Sequence, residues 1–481
     1  MRKPQSWRNH TGNQSCEPRA IVTPASLEDL VDLVRRAEAE GTTVRAVGAG
    51  HSWSDAALTD GYLILPDRLG GVSSPDEGEL RAEARGQSLV RVLGGTHLYK
   101  LNRELDAMGL ALPNMGGYDA QTIAGVVSTS THGSGLRFGP FPDLVRSLDL
   151  VVAGGDALRL EPADGPTDPA RFADERLRLV QDDRRFAAAV CGIGTLGLIH
   201  SVLLEVREKF WLNEVRTLST WEEVRESLRP DGVLGEGDHY ELFLNPYAGG
   251  GGRHRVLVTR RADCPRPRDV TPDKRERDPL TELESSLPIT GAIFRLLARW
   301  WPSLMVSRFD SLLEDMCDDG YAKVSYKVFN IGEANHLPAY SMELGVALDG
   351  DRHLEAVDRI LAIAAERARD DGLYHTWPIA LRFVAPSRAY ASMMFARATM
   401  MIELIMVDGS RGGYTLLEGY EGGLADLEVR PHWGQYNTLT PERAAELYPR
   451  WSDWIEVERE LNASGVFDSP FTERVGISSR A

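Results

Sequence analysis

A histidine that directly follows a glycine turn is the first feature of this chain that could do chemistry. The stretch from Val44 to Asp55 reads VRAVGAGHSWSD, and small residues at its turn let a backbone pass close to a bulky anionic ligand. His51 and two serines then offer side chains to that ligand. An isolated histidine of this kind is more often a plain turn residue. The whole stretch predicts a cofactor cradle made of Ala46, Val47, Gly48, Ala49, Gly50, His51, Ser52 and Ser54.

A second stretch combines glycines, hydroxyl side chains and another histidine. Asn114 to Gly139 reads NMGGYDAQTIAGVVSTSTHGSGLRFG, with His132 after a run of serines and threonines. Glycines allow close backbone approach, and hydroxyl groups donate hydrogen bonds to anionic oxygens. This stretch predicts a second surface for the same ligand, although each stretch by itself is a weak signal.

Together, in this order and at this separation, the two stretches resemble the PCMH-type FAD-binding domain of vanillyl-alcohol-oxidase relatives. Within that superfamily the chain is similar to the aldonolactone and alditol oxidases, which include D-arabinono-1,4-lactone oxidase and L-gulonolactone oxidase. Three further segments carry the resemblance in the expected order: Ser6 to Pro18, Cys191 to Val206, and Arg430 to Asn437. The resemblance therefore extends over nearly the whole chain and implies FAD as the cofactor.

The resemblance also implies which residues hold FAD. The histidine that matches His51 is bonded to the flavin 8α carbon in many members, so a covalent link through His51 is predicted. No cysteine lies near Gly133 or Gly135, which argues against a second covalent link. The further predicted FAD contacts are Gly116, Gly117, Thr122, Ile123, Ala124, Gly125, Thr129, Ser130, Thr131, His132, Ile199, His432 and Gln435, and Trp433 is expected to pack around the flavin.

The substrate side departs from the family pattern. Relatives carry Glu-x-Arg on one strand and a lysine that closes an HWGK motif, whereas this chain has Ala380, Arg382 and Gln435 at these positions. Glu403, in the apolar run TMMIELIM, is a candidate replacement acid, because apolar neighbours raise the pKa of a carboxyl toward that of a useful base. The alternative is that Glu403 is only the ion-pair partner of an arginine. The predicted catalytic residues are Arg382, Glu403 and Gln435.

The resemblance and the predicted catalytic residues favour oxidation of a CH–OH group, in a sugar, polyol, lactone or glycosidic alcohol. Hydride transfer to flavin N5 is the expected step. The resemblance implies that the backbone at Gly116 and Gly117 passes the reactive edge of the flavin, where glycine leaves a path open for a small gas, so molecular oxygen is the expected acceptor and H2O2 the expected product. The alternative is that both glycines only serve a tight turn. Loss of the lysine at position 435 opposes this expectation, because a nearby cation favours charge on oxygen. Two alternatives stay open: a dehydrogenase with another acceptor, and a flavin-binding protein without turnover.

Composition agrees with a cytoplasmic enzyme. A net charge of −17 over 481 residues argues against a nucleic-acid partner, because such binding depends on basic side chains. The four cysteines have no metal-ligand or disulfide spacing, so we expect reduced thiols and no metal. No apolar segment follows the first cations, which argues against a signal peptide. Ile289 to Met305 is apolar but shorter than the ~20 residues of a membrane span and carries two arginines, so we expect a lid, interface or core helix.

Local patterns predict the elements that position these residues. Ser26 can cap a helix that ends at Gly41, followed by a strand from Thr43 to Val47 and later by a helix from Thr96 to Met108. After Trp211 the segments lengthen and indicate a separate domain. Further predicted segments are strands at Tyr62 to Leu65, Ala322 to Phe329 and Met342 to Val346, a helix from Leu354 to Arg369, and an exposed loop from Ala262 to Pro279.

The predicted fold class is α+β. It comprises a two-part PCMH-type FAD-binding domain and an α+β substrate domain built on a mixed or antiparallel sheet. The predicted domains are residues 1–206 for FAD, residues 207–429 for the substrate, and residues 430–481 as a segment that returns to the FAD domain. That return is implied by the resemblance.

Overall fold

A computed structural model describes residues 6–229, 232–235, 239–268, 290–330 and 339–479. Helices alternate with short strands in the first part of the chain, and a large antiparallel sheet follows. The predicted α+β class is confirmed. Among the described residues, none of the helices combines the length and the apolar character that crossing a membrane requires.

The strands of the described residues come in chain order as follows: β1 Trp7–Arg8, β2 Ser15–Cys16, β3 Ala20–Val22, β4 Val44–Ala46, β5 Tyr62–Ile64, β6 Val72–Ser73, β7 Leu89–Leu93, β8 Leu110–Ala111, β9 Val145–Val151, β10 Ala157–Glu161, β11 Arg178–Gln181, β12 Leu198–Glu205, β13 Arg207–Glu208, β14 Trp211–Thr220, β15 His239–Leu244, β16 Arg255–Cys264, β17 Asp318–Val324, β18 Ala339–Ala347, β19 Ile379–Val384, β20 Thr399–Val407 and β21 Arg430–Pro431.

The α-helices of the same residues are Leu27–Ala39, Leu98–Ala107, Ile123–Ser128, Asp183–Ala189, Trp221–Val224, Thr290–Trp300, Pro302–Val306, Phe309–Asp315, Ser325–Phe329, Arg352–Asp370, Gly413–Gly423, Pro441–Leu447, Trp451–Leu461 and Pro470–Arg474.

The first helix begins and ends as the sequence predicts. Oγ of Ser26 accepts a hydrogen bond from the backbone N–H of Asp29 at 3.1 Å, and Gly41 follows the helix with a φ of +63°. Residues Leu30 and Val34 are buried on one face, as the helical period requires. Within the described residues, this helix packs beside a three-stranded parallel sheet in the order β3-β5-β4. The carboxyl end of β4 delivers the first glycine turn.

A second sheet of the N-terminal half has the order β11-β10-β9-β12-β7-β6, counted over the described residues. Strand β12 carries Ile199 and pairs with β7 and β9. Its buried residues Val202 and Leu204 join the largest apolar core, with Leu98 and Leu101 of a neighbouring helix. This core supports the floor beneath the second glycine-rich stretch.

Within the described residues, the largest sheet has eight antiparallel strands in the order β17-β14-β16-β15-β19-β20-β18-β21. Successive side chains of a strand point to opposite faces. In β18, Met342 and Leu344 pack with the helix Arg352–Asp370 on one face, so Glu343 faces the other side. Glu403 of β20 is the register partner of Glu343 and shares its face. The second face of this sheet therefore carries both carboxyl groups.

The C-terminal segment contacts the N-terminal half. Nε1 of Trp454 donates to the carbonyl oxygens of Ala188 and Cys191, both at 3.2 Å, and the N–H of Val44 donates to the carbonyl of Val466 at 2.8 Å. These contacts are those expected of a segment that returns to the FAD domain. The boundaries at residues 206 and 429 stay predictions.

Three predicted segments need correction, and two of these are only partly described. The predicted strand Ala322 to Phe329 is wrong after Val324, because residues 325–329 form a helical turn. The predicted loop Ala262 to Pro279 begins inside β16, which continues to Cys264; its residues 269–279 lie outside the described residues. The apolar segment Ile289 to Met305 forms two helices rather than a core helix, and Ile289 itself is not described. Large apolar side chains of this pair are exposed, namely Ile293, Leu296, Trp300, Trp301 and Leu304.

The buried carboxyl of Glu458 gives a stability prediction. Burial raises its pKa from 4.5 to about 7, opposed by hydrogen bonds from Asn462 and Ser479 and assisted by Asp468. A raised folded-state pKa means that the protein loses stability as pH rises from about 4.5 to about 7. At pH 8 the free energy of unfolding of Glu458→Gln should therefore exceed that of wild type by about 3 kcal/mol.

Urea unfolding at pH 8 and pH 4.5 measures this difference, which should nearly vanish at the lower pH because the folded-state carboxyl is then protonated and the unfolded-state carboxyl is about half protonated. Equal stabilities of the two proteins at pH 8 would show that Glu458 ionises normally.

Candidate active site

The first wall of the candidate site is the turn that follows β4. Gly50 has a φ of +70°, which residues with a side chain rarely adopt. A Cβ at Gly48 would lie 2.2 Å from Oγ1 of Thr122. The turn therefore approaches the second glycine-rich stretch more closely than another residue would allow.

Thr122 gives an independent sign of a ligand at this contact. Its Oγ1 is buried and has no hydrogen-bond partner in the part of the chain that the structure describes. An unpaired buried hydroxyl costs about 1–3 kcal/mol, so a bound group with acceptor oxygens would stabilise it. The phosphate and ribose oxygens of FAD are such acceptors, and the glycines beside Thr122 leave room for them. The residues present therefore fit FAD.

The two stretches enclose a cavity of about 610 Å³, a size usual for ligand sites. Most predicted cofactor residues and all three predicted catalytic residues line it: Ala46, Val47, Gly48, Ala49, Gly50, His51, Ser52, Gly116, Gly117, Thr122, Ala124, Gly125, Thr129, Thr131, His132, Ile199, Arg382, Glu403, His432 and Gln435.

Three predicted cofactor residues lie behind the cavity wall instead. Ser54 donates through Oγ to the carbonyl oxygen of Trp433 at 2.7 Å. The hydroxyl of Ser130 shares a hydrogen bond of 2.8 Å with the hydroxyl of Ser392, and the side chain of Ile123 is fully buried. The structure thus places these side chains where they support the cradle.

His51 lines the cavity with a neutral ring. Burial, followed by the neighbouring His10 and His97, lowers the pKa of its imidazole to about 3. The hydroxyl of Tyr118 lies 3.4 Å from its Nε2. A neutral imidazole keeps one nitrogen lone pair, which is the state that bond formation to an electrophilic carbon requires.

The three predicted catalytic residues meet at the face of the large sheet that carries Glu343. Nη1 of Arg382 donates to Oε2 of Glu403 at 2.5 Å, and Nε2 of Gln435 donates to Oε1 of Glu403 at 3.3 Å. Both oxygens of Glu403 are therefore engaged. This arrangement agrees with the interpretation of Glu403 as the partner of an arginine.

Sequence reasoning missed two further carboxylates, Glu241 and Glu343. Nε of Arg382 donates to Oε1 of Glu241 at 2.8 Å, and Nη1 of Arg382 lies 3.6 Å from Oε1 of Glu343. Nε2 of Gln435 also donates to Oε2 of Glu343 at 3.2 Å. Each glutamate interrupts an apolar strand, HYELFL or AYSMELGVA. A charged residue inside a buried strand was the signal that could have found them.

Charge is strongly concentrated here. Burial lowers the pKa of the Arg382 guanidinium, but the surrounding carboxylates, with Glu403 first, outweigh burial and raise that pKa above its ordinary value. Burial similarly raises the pKa of the Glu343 carboxyl, but His132, His432 and Arg382 outweigh burial and hold that pKa below its ordinary value of 4.5. The two histidines lower this pKa only when their rings are protonated, whereas the charge of Arg382 is permanent.

The segment after β21 closes the site. Nδ1 of His432 accepts the backbone N–H of Gly434 at 3.0 Å, and burial lowers the pKa of the His432 ring to about 4. The expectation for Trp433 is wrong: it turns away from the cavity and stacks on Tyr448 and Trp451 in the core. Neighbouring residues of an extended segment point to opposite sides. The ring of His432 therefore lines the cavity, and the ring of Trp433 does not.

The cavity lining also includes a group of apolar side chains, with the carboxylates of Asp315 and Asp318 among the other lining residues. Trp377 and Phe243 are half-buried there, near Ile405 of β20. The charged pair Arg216 and Glu214, joined at 3.0 Å, also lines the cavity. The apolar lining residues of this group are Phe243, Leu312, Leu313, Met316, Ala339, Trp377, Pro378 and Ile405.

Two family descriptions match this chain. The family described as FAD binding domain matches residues 18–161, which contain the cradle. The family described as D-arabinono-1,4-lactone oxidase matches residues 202–475. These residues make up more than half of the chain and contain the carboxylate cluster.

Known proteins agree with these matches. The chain is 30% identical to L-gulono-1,4-lactone dehydrogenase of Mycobacterium tuberculosis over 471 residues, which cover 98% of each chain. It is 28% identical to alditol oxidase of a Streptomyces species over 465 residues, which cover 96% of this chain and 97% of the relative. A solvent-stable cholesterol oxidase has the same fold, with a TM-score of 0.75 at 15% identity over 98% and 97% of the two chains.

The predicted family and the predicted cofactor are confirmed by these matches. The cradle is part of the segment that matches an FAD-binding domain, and the unpaired Thr122 hydroxyl fits the same cofactor. The chain belongs to the D-arabinono-1,4-lactone oxidase family and is an FAD-dependent oxidoreductase acting on CH–OH donors.

Proposed function

We propose that this protein oxidises a CH–OH group of a small-molecule alcohol and that molecular oxygen takes the electrons, which gives H2O2. The observation that carries the proposal is one continuous cavity, which joins the FAD cradle at Gly48 to the buried cluster around Arg382. A cofactor held by the cradle can therefore meet a substrate held by the cluster.

FAD supplies a two-electron acceptor at this site, which takes hydrogen with its bonding pair from the substrate carbon. The chain's own residues do the remaining work. Backbone N–H groups of the Gly48 turn hold anionic oxygens of the cofactor, and His51 is proposed to attach it covalently. Arg382 is proposed to orient the substrate oxygen, because its guanidinium lines the cavity.

The missing family carboxylate has a replacement in the same row of the sheet. Ala380 of β19 is the register partner of Glu403 in β20, and Glu403 is in turn the partner of Glu343 in β18. The carboxylate lost on β19 is therefore present on the adjacent strand β20 and on the strand after it, β18. This row supports turnover over the alternative of a flavin-binding protein without activity.

Oxygen as the acceptor is supported by Gly116 and Gly117, which line the cavity without side chains. A Cβ at Gly116 would lie 3.1 Å from the carbonyl oxygen of His132, so glycine there also serves backbone packing. Gln435 at the family's lysine position favours the dehydrogenase alternative, in agreement with the name of the Mycobacterium tuberculosis relative.

The apolar residues of the cavity lining support a substrate with an apolar part. They include Phe243, Trp377 and Ile405, which offer area for apolar contact and few hydrogen bonds to sugar hydroxyls. We therefore propose an alcohol whose reacting hydroxyl is attached to an alkyl or ring body, within the class of CH–OH donors.

Stopped-flow absorbance tests this function in two steps. The oxidised protein is first mixed without oxygen with aldonolactones, alditols, long-chain alcohols and ring alcohols, and at least one apolar alcohol should bleach the flavin. The reduced protein is then mixed with aerated buffer, and the oxidised spectrum should return rapidly with formation of H2O2.

Each alternative has its own outcome. Bleaching by none of these alcohols would indicate a flavin-binding protein without turnover. Reoxidation no faster than that of free reduced flavin, together with rapid turnover on a quinone dye, would establish a dehydrogenase. Bleaching by polyols only would contradict the apolar substrate.

A further inference from the structure

Glu343 and His132 face each other across a short buried gap. Oε1 of Glu343 lies 3.4 Å from Nε2 of His132, and both residues line the cavity. Their side chains are 4% and 3% exposed, so water screens their interaction little. Within the described residues, Oε1 of Glu343 has no hydrogen-bond partner.

The hydrogen bond of the other ring nitrogen of His132, Nδ1, determines whether the gap contains a proton. Nδ1 of His132 lies 2.8 Å from the carbonyl oxygen of Gly133, and a carbonyl only accepts, so Nδ1 carries a proton. In a neutral ring Nε2 then has a lone pair, which points at the carboxylate of Glu343. Two acceptors thus face each other, an arrangement that one added proton converts into a charge-assisted hydrogen bond.

Glu403 provides the contrast. It faces the same side of the sheet, but Arg382 and Gln435 already donate to its two oxygens. A cation bound at 2.5 Å weakens a carboxylate as a base. Glu403 can therefore hold Arg382 in place. Oε1 of Glu343 lies farther from Arg382, at 3.6 Å, and has no hydrogen-bond partner among the described residues, so this oxygen and Nε2 of His132 can share a proton.

We propose that His132 and Glu343 together are the base of the reaction, and this inference rests on the proposed oxidation of an alcohol. As the substrate carbon loses hydrogen with its bonding pair to FAD, the hydroxyl O–H bond breaks and C=O forms. The hydroxyl proton passes to Nε2 of His132, where the carboxylate of Glu343 stabilises the imidazolium. Glu403 is then a positioning residue for Arg382.

Paired variants separate the two carboxylates. Glu343→Gln and Glu403→Gln remove one negative charge each from register partners on adjacent strands. Glu343→Gln should slow anaerobic flavin reduction by roughly 10²–10⁴-fold, as loss of a general base does. Glu403→Gln should slow it clearly less. Flavin content and thermal unfolding of each variant verify folding, and His132→Gln serves as the second variant with the same expected loss.

A readout independent of turnover is the protonation of the His132 ring. Nitrogen NMR of ¹⁵N-histidine protein, with oxidised flavin bound and His132 assigned from His132→Gln, gives the pH midpoint at which Nε2 is protonated. That midpoint should be lower in Glu343→Gln than in wild type, because the opposite charge 3.4 Å away favours the protonated ring. The other charged groups that face the pair are Arg382 and Glu403, and the other titratable ring is that of His432. Glu403→Gln is therefore the control and should shift the midpoint less.

The outcomes decide separately for the function and for the base. If no alcohol bleaches wild-type flavin, the proposed function fails, and the NMR midpoint still shows whether the pair shares a proton. If wild type is reduced but Glu343→Gln is reduced equally fast, or slows no more than Glu403→Gln, the proposed base is wrong. An unshifted midpoint in Glu343→Gln would also overturn it.

Discussion

Arg382→Met is expected to abolish substrate-dependent flavin reduction and to lower the free energy of unfolding by about 3–5 kcal/mol, the usual cost of removing one partner from a buried ion pair. Arg382 donates to Glu241 at 2.8 Å and to Glu403 at 2.5 Å, and lies 3.6 Å from Glu343. Without it, three buried carboxylates lose their shared cation. Stopped-flow reduction and urea unfolding measure the two effects.

Arg382→Lys is the matched control, because it keeps the charge and removes the planar fork that reaches two carboxylates at once. It should regain part of the stability and little of the turnover. Unchanged stability and unchanged reduction in Arg382→Met would contradict the role of this cluster.

The stability loss should depend on pH. Although burial raises the pKa of Glu241, Arg382 and Arg261 hold that pKa below its ordinary value of 4.5. A lowered folded-state pKa contributes stability that is present above pH 4.5 and is lost as pH falls through the folded-state value. The difference between Arg382→Met and wild type should therefore shrink at acid pH, which urea unfolding at pH 7 and pH 3.5 would show.

His51→Ala is expected to release all flavin on acid precipitation, whereas wild-type precipitate should stay yellow. The physical basis is the neutral imidazole, whose pKa burial lowers to about 3, so a nitrogen lone pair is available for a bond to the flavin. Absorbance of pellet and supernatant after acid treatment measures the split. Tyr118→Phe is the control, because it removes the hydroxyl 3.4 Å from Nε2 but leaves the imidazole.

A colourless wild-type pellet would refute the covalent link. It would leave FAD binding intact, since the cradle and the unpaired hydroxyl of Thr122 support binding independently of His51. Retention of flavin by the His51→Ala pellet would instead indicate attachment through another residue.

Sequence alone determined the features that depend on short stretches of chain. The glycine turn, His51 and the cap at Ser26 are local, because each requires only neighbouring residues to specify backbone shape. Alternation in Met342 to Val346 predicted its strand for the same reason. The family resemblance then supplied FAD and the order of the segments.

Local preference failed where tertiary packing decided the conformation. Residues Ser325 to Phe329 include strand-favouring aromatic and β-branched types. The structure instead forms one helical turn there, which buries Ser325, Val328 and Phe329 at a helical spacing. Burial against the large core thus outweighs the preference of single residues.

Only the tertiary structure decided the composition of the carboxylate cluster. Glu241, Glu343, Arg382 and Glu403 come from four strands far apart in the sequence, and pairing register alone puts them on one face. The gap between Glu343 and His132 requires, in addition, that the glycine-rich stretch pack against that face. Nothing local specifies such contacts, because a strand fixes which side its residues face, whereas its partners are fixed by how the whole chain buries its apolar surface.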